Sequence, residues 1–311
     1  LNVSCSALMK LYGGLGGSTE CSIANSLWTD PEGRMQEDFV GRCSGIFDAQ
    51  VFQEDLSAPV IVPALNSWVS DHTAGMIPQI IQRPFGEDAA ALMVNALYLK
   101  NTWATKFDPS DTVTRDFTRA DGTAEPLDFL QHFSRSLTYL QSGSDEGVLL
   151  PYDDGRLAFF ALMPRQSSGV PDFERWLSSL TGEGLSALLS GREETFFLRL
   201  SLPKFEQEWS GELKDALAAL GLTDAFDPDL ADFSLLGDDP RGYYLSQVIH
   251  AARIEVNEEG TEAAAATVVA AASGAAPPQE GVTLIFDRPF LYGIVDLQNG
   301  VPLFLGTFEG L

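Results

Sequence analysis

Cations are scarce in this chain: 19 Lys and Arg against 44 Asp and Glu leave a net charge of −25. A surface this acidic repels phosphate backbones and anionic headgroups, so neither nucleic acid nor a membrane is an expected partner. No apolar run reaches the length of a membrane-spanning helix. Cysteine is nearly absent. Cys5, Cys21 and Cys43 form no close pair and supply neither a disulfide framework nor a C-x-x-C metal or redox motif. They are expected as small buried hydrophobes. The only histidines, His72, His132 and His250, lie at no metal-ligand spacing, and no metal or cofactor is expected. Also missing are G-x-S-x-G, H-E-x-x-H, Walker and G-x-G-x-x-G motifs. Gly13-Gly14-Leu15-Gly16-Gly17 has the wrong spacing, lacks the lysine, and reads as a turn. A carboxylate-pair hydrolase has only an abundance of acids behind it, which is too unspecific to name residues. The start, Leu1-Asn2-Val3, shows no initiator Met and no signal pattern, as expected of a chain that begins after a removed segment.

What is present is an ordinary globular composition, 45% apolar and 20% charged, in a chain long enough to bury a core without staples. Ile61, Leu65, Trp68 and Val69 predict a helix within 60–82, with Gly75 near its end. Leu213, Leu217 and Leu220 predict another over 212–221, closed by Gly221. Strands are expected at 92–99, 156–163, 196–202, 282–286, 290–296 and 303–307. Leu198, Leu200 and Leu202 alternate with Arg199 and Ser201, which implies one wet face; the near-continuous apolar run at 92–99 implies a strand covered on both sides. The fold class is α+β, and without a linker a single domain over 1–311 is expected.

One segment stands out, 257–281, NEEGTEAAAATVVAAASGAAPPQEG. Nine of the fourteen residues from Ala263 to Ala276 are alanine, so a helix is one reading and a disordered linker another. Thr267, Val268 and Val269 interrupt a helix and Pro277-Pro278 stops it, and linkers usually join domains. A functional loop is the third reading. Uniformly small side chains let one segment exist exposed or paired inside a sheet. As a strand it would place Thr261, Ala263, Ala265, Thr267 and Val269 on one face, with nothing charged or bulky to overpack a core. Glu262 would fall on the other face.

The hinge Glu258-Glu259-Gly260-Thr261-Glu262-Ala263-Ala264-Ala265-Ala266-Thr267 closely resembles that of inhibitory serpins. Ser246-Gln247-Val248-Ile249-His250-Ala251-Ala252 resembles the strand before it, and Asp287-Arg288-Pro289-Phe290-Leu291-Tyr292 and Leu303-Phe304-Leu305-Gly306 resemble the C-terminal strands. Asn66-Ser67-Trp68-Val69 with Thr73 and Gly75, Asn95-Ala96-Leu97-Tyr98 with Trp103, Leu149-Leu150-Pro151-Tyr152 and Leu202-Pro203-Lys204-Phe205 complete the set. The likeness runs from about Ile23 to the end. It implies a large central mixed sheet, surrounding helices, a second sheet or barrel and an exposed reactive loop at 257–281. The family's first helices are missing before the segment that Leu1–Leu15 resembles.

The resemblance further implies a suicide inhibitor of a serine protease, not an enzyme. The loop is cleaved as a substrate, an acyl-enzyme forms, and the freed strand inserts before deacylation. Family positions controlling sheet opening match Asn95, Trp103 and His250; a family pair bracing the hinge matches Glu258 and Lys204. The usual spacing from Gly260 puts the reactive bond at Gly274–Ala275, with Ala272, Ser273 and Ala276 as alternatives. No Lys or Arg lies between Arg253 and Arg288, so a trypsin-like pocket has nothing to bind, and Phe286 serves a chymotrypsin-like slot poorly. Small side chains fit an elastase-like or subtilisin-like cleft. Lys10 is the only base before Arg34, so no heparin-type cofactor is expected. The expected partner is the protease in a covalent complex, the inhibitor a monomer, secreted or on a cell surface. A non-inhibitory serpin acting as a binding or carrier module is the alternative.

Overall fold

The computed structural model describes residues 2–15, 18–134, 137–165, 173–193, 197–238, 242–261 and 281–311. Two compact units emerge, and two long strands, β4 (Ala91–Thr102) and β14 (Leu245–Val256), begin in the first and end in the second.

The first unit comprises Leu1–Gly16, Glu20–Leu99 and Glu206–Ile254. It holds α1 (Asn2–Gly13), β1 (Glu20–Thr29), β2 (Arg34–Met35), α2 (Glu37–Phe47), β3 (Ala49–Gln53), α3 (Ile61–His72), β12 (Phe205–Glu212) beyond its first residue, α6 (Lys214–Ala219) and β13 (Gly237–Asp238). Its main sheet runs β12-β14-β4-β1-β3. β14 and β4 are parallel from Leu245↔Ala91 to Ala252↔Leu97, and β1 and β3 are also parallel. As the spacing predicts, Ile61, Leu65, Trp68 and Val69 all turn inward, packing with Leu92, Val94, Ala96, Ile249 and Ala251. The helix stops ten residues before the end of the window read from sequence. Ala74 takes a left-handed φ of 51° and Gly75 one of 80°, and the Gly75 N–H reaches back to the Ser70 carbonyl at 2.8 Å. This Schellman-type closure satisfies the last carbonyls and turns the chain away.

The second predicted helix is shorter than its pattern too. Leu217 packs beside Phe226 and Leu245, but Leu220 is exposed and Gly221 ends the turn at φ 101°. The cysteines differ from expectation: Cys5, Cys21 and Cys43 are free and only half-buried. Burial still pushes the Cys21 thiol up to about 11.

The second unit comprises Gly17–Thr19, Lys100–Phe205 and Glu255–Leu311. One of its sheets joins β10 (Arg192–Glu193), β7 (Thr138–Ser142), β8 (Asp145–Pro151), β9 (Leu157–Pro164), β17 (Phe290–Asp296) and β18 (Pro302–Phe308) in that order. β9 and β17 are buried along their whole length, which is why their sequences are apolar runs instead of alternations. Leu140, Phe160, Leu162 and Leu291 form a core here, completed by Trp176 and Leu177 of α4 (Phe173–Ser179) and Leu188 of α5 (Gly182–Ser190). The other sheet runs β16-β11-β6-β5, from β16 (Val282–Ile285) through β11 (Leu198–Pro203) and β6 (Ala124–Ser134) to β5 (Val113–Thr118). In β11, Leu198, Leu200 and Leu202 are buried and Arg199 is exposed, but Ser201, expected on the wet face, is buried too and its hydroxyl accepts from the Gln131 amide at 2.6 Å. The two-residue strand β15 (Gly260–Thr261) is also in this unit.

Candidate functional site

β15 lies antiparallel to the ends of two strands at once: Thr261 pairs with Val256 of β14 and with Asn101 of β4, while Gly260 pairs with Thr102. Lower down, the same β4 and β14 pair directly with each other. Gly260 is required here, because a Cβ at this position would collide with the Asn101 carbonyl oxygen. The turn into β15 is made by Asn257. Its side-chain oxygen accepts from the N–H groups of Glu259 at 3.0 Å and Gly260 at 3.2 Å, and its own N–H donates to the Gly260 carbonyl at 3.1 Å.

Trp103 holds this turn from below. Its indole N–H donates to the Asn257 carbonyl at 2.8 Å, and its backbone N–H donates to the Glu259 carbonyl at 3.0 Å. The Phe107 N–H reaches the Glu258 carbonyl at the same distance, 3.0 Å. Trp103 stacks on Tyr152 with ring centres 4.9 Å apart, and the Tyr152 hydroxyl lies 2.5 Å from that of Thr261. Thr261, Trp103 and Tyr152 are all buried, so this hydroxyl pair satisfies two groups that water cannot reach.

Two of the three hinge carboxylates, those of Glu258 and Glu259, are held. Glu258 lies 2.9 Å from the Lys204 ammonium, and the Thr112 hydroxyl donates to it at 2.9 Å. Burial opposes ionisation of Glu258, but the hydrogen bonds from Lys204 and Thr112 outweigh it and hold the carboxyl below its usual range. Glu259 is buried and forms an ion pair with Lys106.

The other two residues matched to sheet opening sit together in the first unit. Asn95 and His250 are register partners on β4 and β14. The Asn95 amide donates to the Ala24 carbonyl at 3.2 Å and to the Asn25 side-chain oxygen at 2.8 Å. Its own oxygen is therefore the acceptor facing His250, whose Nδ1–H donates at 2.7 Å. One side-chain chain thus ties β14, β4 and β1. Burial, partly offset by the Asn95 contact, lowers the His250 pKa and keeps the ring neutral.

The structure thus brings Glu258 to Lys204 and Asn95 to His250, and seats Trp103 under the hinge. Hinge residues 262–267 and the reactive-bond candidates Ala272, Ser273, Gly274, Ala275 and Ala276 lie outside the described residues. Reading the sequence did not single out Thr112, Lys106, Asn257 or Tyr152 as hinge partners. Only Asn257 carried a signal, as an asparagine entering a Gly-containing turn.

β15 is thus a two-residue strand seated between the ends of β4 and β14. Residues 2–310 match the family model described as Serpin (serine protease inhibitor), and the chain belongs to that family. Serpin-Z2B of Triticum aestivum is 32% identical over 93% of this chain and 74% of its own length. Plasminogen activator inhibitor 1 of Neovison vison is 33% identical, with 96% of this chain and 75% of its own length covered. Among solved structures, that of a thermophilic serpin, tengpin, in the native state superposes on all of this chain and 78% of its own. The TM-score is 0.90 at 29% identity.

Proposed function

We propose that this protein traps a serine protease by suicide inhibition, and that the observation carrying this reading is β15 between the ends of β4 and β14. Gly260 faces Thr102 and Thr261 faces Asn101, so each further loop residue in that register steps back one position along β4. Ala271 then meets Ala91, the first residue of β4. On the face that Thr261 already buries, Ala263, Ala265, Thr267, Val269 and Ala271 follow, and none is charged. Glu262, Ala264, Ala266, Val268 and Ala270 take the opposite face.

A protease attacks the loop as it would any extended substrate, its own serine forming the acyl-enzyme while the inhibitor supplies no catalytic group. Once the bond is cut, the amino-terminal part of the loop is free to continue β15. One β4–β14 ladder is exchanged for two ladders to the new strand. With roughly ten additional backbone bonds at about 1 kcal/mol net each, the step is strongly downhill. The bond must lie beyond Ala271 for that strand to be complete, which agrees with Gly274–Ala275. Ala272, Ser273, Gly274, Ala275 and Ala276 favour a protease with a shallow pocket for small side chains, of elastase or subtilisin type.

The direct test mixes the protein with pancreatic elastase or subtilisin and resolves the products on a denaturing gel. A band at the summed mass, stable in SDS, is expected. Clean cleavage with no such band would leave a substrate or a carrier module, and the inhibitory reading would be lost.

A further inference from the structure

The four-stranded sheet of the second unit carries an aromatic and cationic patch on the exposed side of β6 and β11. Phe133 and Arg199 are direct cross-strand partners, and Phe133 is 54% exposed. The Arg199 guanidinium lies 5.2 Å from the centre of the Phe133 ring. Phe197 stacks on the same ring, centres 4.8 Å and planes 9° apart. Thr283, opposite Arg199 on β16, extends the row. Among the described residues no carboxylate pairs with Arg199, in a chain whose net charge is −25.

The patch adjoins the end of the loop. The Val282 N–H donates to the Phe197 carbonyl at 2.9 Å. A Cβ at Gly281 would stand 2.7 Å from that oxygen and 3.0 Å from the Phe197 Cβ. Only glycine lets the chain lie this close to Phe197 as it leaves the loop.

We propose that Phe133, Phe197 and Arg199 form a second contact site for the protease that attacks the loop. This inference rests on the inhibitory reading and adds to it a determinant of which protease is stopped. A bond at Gly274–Ala275 is roughly 20 Å of extended chain from Gly281, less than the width of a protease, so the protease surface flanking its cleft reaches the patch. The loop needs such help, because pockets for small side chains discriminate weakly, about 1–3 kcal/mol per methylene. The stacked rings and the guanidinium held over them are a rigid arrangement of residue types that dominate protein interfaces. The matching surface offers a carboxylate for Arg199 beside an apolar side chain for Phe133.

The test compares the wild type with Arg199→Glu, Phe133→Ser and Phe133→Tyr. It measures the second-order rate of complex formation with pancreatic elastase and with subtilisin, and the stoichiometry of inhibition. With at least one of the two proteases, Arg199→Glu and Phe133→Ser should lower the rate at least tenfold at unchanged stoichiometry, and Phe133→Tyr should stay within twofold of wild type. Equal thermal unfolding midpoints establish that the variants are folded; Arg199→Gln replaces Arg199→Glu where they are not. Wild-type rates for Arg199→Glu and Phe133→Ser with both proteases would overturn the contact site and leave the inhibitor reading standing. No SDS-stable complex for any protein, wild type included, would instead remove the inhibitory reading and this site with it.

Discussion

Thr261 is anchored in β15 by its side chain, whose hydroxyl is buried and meets that of Tyr152. Tyr152→Phe strands a buried oxygen and should cost about 1–3 kcal/mol in chemical denaturation, whereas removing both hydroxyls with Thr261→Val should recover most of it. An additive loss in the double variant would show that the two groups do not form one pair. Thr267→Arg acts differently, since in the proposed insertion its cation must enter the core on the face that Thr261 already buries. It should turn the inhibitor into a substrate, with stoichiometry rising severalfold; an unchanged stoichiometry would refute this.

His250 provides the pH dependence at this scale. Its pKa in the fold is below the ordinary 6.5, so the unfolded chain takes up a proton that the folded ring refuses. Stability is therefore full above that pH, falls as pH drops through it and levels off below the folded value. Unfolding midpoints should fall between pH 7.5 and 5.5 in the wild type, and the fall should be smaller in His250→Gln. Glu258 has the opposite chemistry and the same direction: its lowered pKa keeps the Lys204 brace intact until pH drops through the carboxylate range.

Among the elements, the strands were legible because their burial is written into their composition. β9 and β17 read as apolar runs and prove buried throughout, whereas the alternation of β11 overstates its wet face, since Ser201 is buried where Arg199 is exposed. Helix ends were less legible. Nothing in 60–82 shows that Ala74 will take a left-handed conformation, because that depends on tertiary placement and not on propensity. The hinge was readable as a run of small residues, and its partners were not. Lys106, Thr112 and Tyr152 lie far from it in the chain, and only the fold carries them to Glu259, Glu258 and Thr261. The length of the strand that the proposed insertion would add belongs to this scale as well. Deleting the four residues Ala263, Ala264, Ala265 and Ala266 preserves the face each later residue takes and leaves the sequence around the bond intact, but Gly274 then stops opposite Leu92, short of Ala91. The SDS-stable fraction should fall and the cleaved fraction rise; an unaltered partition would mean that insertion need not reach the base of β4.

For the whole molecule, the charge of −25 is the dominant long-range property. It favours approach of a cationic protease, and such steering weakens as salt screens it. Association with a cationic elastase should slow several-fold between 50 mM and 500 mM salt with stoichiometry unchanged, whereas salt-independent rates would remove charge from the account. The insertion step itself is read most directly by hydrogen exchange on the protein after elastase has cut the loop. If the loop continues β15 down β4, amides 262–271 become protected to the level of the β4 core. If cleavage leaves those amides exchanging at the rate of a free chain, the loop does not insert and the central claim is wrong.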